Sequence, residues 1–111
     1  MELNIRVKNG YAFCHDYVED KVEQLASLDI GRVWVTEDQI NKIIEILDLN
    51  NLKDDELNAV RNSIVQLFCK EENKYYNNDV HDMKNFDKYH STGSAVTAVI
   101  DDIMFKRKGT L

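Results

Sequence analysis

Proline is absent from this 111-residue chain, where average usage supplies about five. Helices therefore meet no proline stop, and turns fall to Gly, Asn and Asp. Glycine is scarce as well, at four residues. Cysteine is limited to Cys14 and Cys69, 55 positions apart and outside any CxxC pair. That usage excludes a disulfide-rich scaffold and a cysteine zinc ribbon, and two reduced, buried thiols are the expectation. No apolar run approaches the ~18 residues of a membrane span. The opening MELNIRVKNG lacks the basic region and apolar stretch of a secretory signal. A soluble, cytoplasmic protein without a membrane partner is expected. Also missing are a phosphate-binding P-loop, a spaced HExxH metal pair and a nucleophile elbow. The chain is therefore read as a non-enzyme without a cofactor.

What is present is charge. Apolar residues make up 43% of the chain and charged residues 31%, the balance of one globular domain over residues 1–111. The net charge of −6 is unevenly spread. Residues 14–60 hold twelve acids against four bases, while the segments on either side are each slightly positive. General nucleic-acid binding needs clustered Lys and Arg, so it is disfavoured. An acidic span suits docking onto a basic protein, or simply a solvated surface.

The apolar pattern predicts a mainly α or α+β fold: about four amphipathic helices, with one or two short strands forming a small sheet at one edge. LNIRVK alternates as a strand, and Asn9-Gly10 marks a tight turn. Cys14, Val18, Val22 and Leu25 then recur at helical spacing, predicting a helix over about 12–28, with a short hairpin arm before it as the alternative. GRVWV (31–35) is the second strand candidate. Thr36 and Gln39 have the spacing of a capping box, opening a helix to about Asp48 with Ile40, Ile43, Ile44 and Leu47 on its stripe. Asp54 or Asp55 is placed to cap a third helix, with Leu57, Val60, Ile64, Leu67 and Phe68 on its face and its end near Lys74. A fourth helix is expected from about Ser94 to Lys108. Its cations Lys106, Arg107 and Lys108 complement the helix dipole, and Gly109 stops it.

NNDVHDMKNFDKYHSTGS (77–94) holds the densest functional residue types. His81, Asp82 and His90 are candidate ligands of a metal-dependent hydrolase. The His81-Asp82 dipeptide resembles the metal-binding pair of some phosphohydrolases, which draw further ligands from a much longer helical domain. His81 and His90 are nine apart and share no ideal helix face. Ser91, Thr92, Gly93 and Ser94 read as a turn capping the last helix, and such a turn can also hold an anion on backbone N–H groups. Cys14-His15 is a weak nucleophile pair, because helical neighbours point apart. Arg6, Lys8, Tyr11, Arg32 and Trp34 sit in or beside the strand candidates, where arginine and aromatic rings suit an anionic, nucleotide-like ligand. The carboxylate clusters at 54–56, 71–72 and 101–102 read as caps and surface charge.

The run SAVTAVIDDIMFKRKG resembles the C-termini of small phage or mobile-element proteins; no functional residue is carried over from it. The leading expectation is an inhibitor or accessory protein of the immunity or phage anti-defence type, occupying a basic protein partner. Asp16, Glu19, Asp20 and Glu23 supply the charge, and Tyr75 and Tyr76 the edge contacts. The alternative is a homo-oligomer that sequesters or senses a nucleotide-like anion through Arg6, Arg32, Trp34 and residues 91–94.

Overall fold

Asn9 and Gly10 both take positive φ, 53° and 83°, as a type I′ hairpin turn requires. They join β1 (Arg6–Lys8) to β2 (Tyr11–Phe13), paired antiparallel with Arg6 opposite Phe13 and Lys8 opposite Tyr11. The computed structural model describes residues 3–31, 35–76 and 83–109. It is mainly α: five α-helices and this one two-stranded sheet among the described residues. Gly31 and Val35 lie outside any strand, and residues 32–34 of the second strand candidate are outside the described residues.

The helix expected over about 12–28 is corrected. Residues 11–13 belong to the hairpin, and two short helices follow, α1 (His15–Glu19) and α2 (Val22–Ala26). The later start has a tertiary reason. The Cys14 N–H donates to the buried Ser63 hydroxyl at 2.7 Å, a partner 49 positions away. At the break, the Lys21 N–H closes a tight bond to Val18 O at 2.8 Å. The apolar stripe survives the break: Cys14, Val18, Val22 and Leu25 are all buried.

Helix α3 (Glu37–Leu47) opens with the expected capping box. The Gln39 N–H donates to Thr36 Oγ1 at 3.2 Å, and the Thr36 N–H donates to Gln39 Oε1 at 3.1 Å. A 3-10 turn (Leu49–Asn51) leads into α4 (Asp54–Tyr76). Asp54 and Asp55 lie in the first turn of α4 rather than before it, and Asp55 Oδ1 accepts the Glu56 N–H at 2.9 Å. Glu56 instead accepts the Lys53 N–H at 2.8 Å, and Asp54 pairs with Arg107 at 3.1 Å. Arg107 also donates to Leu52 O at 2.7 Å, so the last turn of the chain's final helix holds the start of α4.

That final helix, α5, runs Met83–Lys108, starting well before Ser94. Ser91, Thr92, Gly93 and Ser94 are therefore mid-helix, and the first three are buried. The capping and anion-turn readings of these residues are overturned, since their backbone N–H groups lie within a continuous helix. Thr92 Oγ1 donates to Lys88 O at 2.7 Å, one turn back. A Cβ on Gly93 would stand 3.0 Å from Phe68 Cβ. Small residues are here because α4 and α5 cross closely, and the same residue types that cap helices also permit such a crossing. The core gathers around this pair, with Phe68, Ile64, Val60, Val96 and Ile100 between α4 and α5, and with α1, α2 and α3 packed on it. Among the described residues no helix is long and apolar enough to cross a membrane.

Candidate functional site

Asp16, Glu19, Asp20 and Glu23 all lie exposed along α1 and α2. Lys21 is the one base among residues 14–31. Its ammonium turns back on its own element, 2.9 Å from Tyr17 O and 4.0 Å over the Tyr17 ring. The Tyr17 hydroxyl in turn donates to Leu47 O at 2.6 Å, fastening α1 to the end of α3. The carboxylates thus form an acidic ridge on a fixed support.

Tyr75 and Tyr76 close the C-terminal end of α4. A residue that sequence reasoning did not single out, Tyr89 of α5, brings Tyr75 to Glu23. Its ring stacks on Tyr75 with centroids 5.7 Å apart and planes 8° from parallel. Its hydroxyl donates to Glu23 Oε1 at 2.8 Å. Tyr76, 53% exposed, tilts against Phe86 at 5.7 Å. Glu23 and Tyr75, from segments some fifty positions apart, therefore meet at Tyr89. No local pattern marks Tyr89 for this role, because its partners come from α2 and α4.

Burial, and next the bond to Glu23, pushes the Tyr89 phenol well above its usual range. Burial also raises Tyr17, with Asp48 adding to it. A neutral phenol favoured by the fold contributes fully below the unfolded value of about 10. That contribution is lost as pH rises toward the folded value. Stability should therefore fall from about pH 10 upward, and Tyr89→Phe should flatten that slope. Urea midpoints between about pH 8 and 11 give the measurement. An unchanged slope in Tyr89→Phe would remove Tyr89 as its source.

The metal candidates divide. His81 and Asp82 lie outside the described residues. His90 is exposed, with Nδ1 3.1 Å from Glu72 Oε1 and its ring stacked on Phe86 at 5.7 Å. No group of three or more His, Cys, Asp or Glu side chains converges as a metal site among the described residues.

Cys14 is buried as expected, whereas Cys69 is exposed, a correction of the paired expectation; both are free thiols. Residue 69 sits beside Phe68 on α4, one step off the buried face, and a helix turns about 100° per residue. Burial raises the Cys14 thiol, with the Ser63 contact opposing, and desolvation raises Cys69. Neither environment favours the thiolate a nucleophile needs. His15 does not serve Cys14: its Nδ1 lies 3.0 Å from Ser63 Oγ. The carboxylate clusters are engaged as surface ion pairs, Asp101 with Arg61, Glu71 with Lys74, and Asp102 with Lys106.

The hairpin carries a second candidate surface. Its register places Arg6, Lys8, Tyr11 and Phe13 on one face. That face borders a cleft of about 660 Å³ shared with His15 and Asp16 of α1 and Gln66 of α4. Arg32 and Trp34, expected beside Arg6, lie outside the described residues. Comparison with protein-family models, with curated proteins and with solved structures finds no match.

Proposed function

We propose that this chain is a small acidic binding protein, acting in the cytoplasm as a non-enzymatic inhibitor or accessory protein, that occupies a basic protein partner. The observation that supports the reading is the junction at Tyr89. It joins the Glu23 carboxylate of the acidic ridge to the Tyr75 ring at the end of α4. Charge and aromatic anchors have separate tasks. The ridge raises the encounter rate with a cationic surface, in a salt-dependent way. Tyr75 and Tyr76 supply rigid, amphipathic area that a partner can desolvate. Immunity proteins against nuclease toxins and phage anti-defence proteins work by this kind of occupation.

Glu19→Lys combined with Asp20→Lys tests the reading. Both positions are exposed, so the fold should survive. Immobilised wild-type chain should retain a basic protein from the lysate of its own source at low salt. The double variant should hold that protein about tenfold less well, or worse. Equal retention by both chains, or retention that ignores salt, would sink the proposal.

A further inference from the structure

Some of the cations on this acidic molecule are paired with neighbouring carboxylates. Arg61, Lys74, Lys106 and Arg107 each hold a carboxylate. Arg6 and Lys8 hold none among the described residues, although the net charge is −6. Both are exposed, and both lie on the hairpin face that borders the cleft of about 660 Å³. Two cations left unneutralised on one small surface form a local site for an anion, against the sign of the whole chain.

The rest of the lining says what the anion is attached to. Tyr11 is 62% exposed and Phe13 is half-buried, two positions along on the same face. Alternate residues of a strand stand about 6.8 Å apart. That spacing is twice the ~3.4 Å rise of stacked bases, and leaves room for one flat ring between two others. His15 meets Phe13 edge-on, with centroids 5.5 Å apart. Ser63 orients that imidazole. Its hydroxyl accepts the Cys14 N–H at 2.7 Å, and its own hydrogen has His15 Nδ1 at 3.0 Å or Cys14 Sγ at 3.9 Å. The 3.0 Å contact holds the orientation of a ring that lines the cleft. Asp16 at the rim adds a carboxylate that accepts from hydroxyl or amino groups and repels a second phosphate.

We propose that this cleft binds a mononucleotide, with its phosphate held between Arg6 and Lys8 and its base stacked on Tyr11. The volume falls within the ~300–1,000 Å³ of small-ligand clefts. Arginine and lysine serve the phosphate as fork and point charge. Stacking on an exposed tyrosine accepts any base. A longer nucleic acid is the poorer fit, because a further phosphate would meet the Asp16 carboxylate in the cleft.

Titration calorimetry of the full chain with AMP, GMP, CMP and UMP tests the site, with inorganic phosphate, adenosine and a thymidine oligonucleotide as further probes. At least one mononucleotide should bind at about 100 μM or tighter. Phosphate alone and adenosine should bind about tenfold more weakly, since each supplies half of the contacts. Arg6→Glu with Lys8→Glu should abolish binding, Arg6→Gln with Lys8→Gln should weaken it about tenfold, and Tyr11→Ala about fivefold. Circular dichroism confirms the fold of each variant. Glu19→Lys with Asp20→Lys should leave this binding in place, which separates the cleft from the ridge. The proposal falls if no mononucleotide binds wild type at about 1 mM, if binding survives both hairpin double variants, or if the oligonucleotide binds more tightly than every mononucleotide.

Discussion

Phe68→Ala is expected to cost about 3–5 kcal/mol, the usual range for deleting a buried phenyl ring. Phe68 is 1% exposed, between α4 and α5, and its ring leans on Tyr89 at 6.1 Å. Truncation removes the ring from the crossing and leaves a cavity that two long helices cannot close without shifting their whole interface. A single domain holds about 5–15 kcal/mol in total, so this one side chain carries a large share of the margin. Thermal melting should show a fall of about 15 °C or more. Tyr89 also loses one of its supports, so the Tyr89–Glu23 junction should loosen with the core. A loss under about 1 kcal/mol would mean that Phe68 does not bridge the helices as described.

Gly93→Val attacks the same crossing from the other side. Even a Cβ at this position meets Phe68 Cβ at 3.0 Å and Phe68 Cγ at 3.3 Å. A Cβ is anchored to its backbone, so relief requires the helices to separate. Valine adds two methyl groups to that contact. Overpacking costs about 1–3 kcal/mol in general, and the upper end is expected here. Valine's better helix propensity returns only a few tenths of a kcal/mol (~0.3) against glycine. Urea unfolding should show a lowered midpoint at unchanged slope. Ser94→Ala, one residue on and exposed, should stay within about 0.5 kcal/mol. If residues 91–94 formed an anion-binding turn instead, Gly93→Val would leave stability near wild type.

These two residues also show how a local signal misleads. SerThrGlySer before an apolar run carries the composition of a helix start. It has the same composition as a close helix crossing, and only the position of Phe68 distinguishes the two. The helix expected over 12–28 failed for a related reason. Its stripe is real, as the burial of Val18, Val22 and Leu25 shows. Its start was decided by Ser63, which takes the Cys14 N–H.

The candidate surfaces divide in the same way. The exposed acids of α1 and α2 were legible because charge beside an apolar stripe falls on the solvent side of a helix. The meeting of Glu23 with Tyr75 was not legible, because Tyr89 mediates it from α5. Arg6 and Lys8 were legible as strand residues. Their union with Tyr11 and Phe13 followed from the register that Asn9 and Gly10 impose.

By itself the sequence determined whatever depends on near neighbours along the chain. This covers the hairpin turn at Asn9-Gly10, the Thr36–Gln39 capping box, the buried stripes and the mainly helical class. Hydrogen bonds and periodicities within a few residues are complete in one segment, so one segment reveals them. The tertiary structure alone decided where α5 begins, why Gly93 is glycine, where the first helix starts and which tyrosine reaches Glu23. Each of these is a choice between two locally acceptable states, and a side chain tens of positions away selects the one that packs.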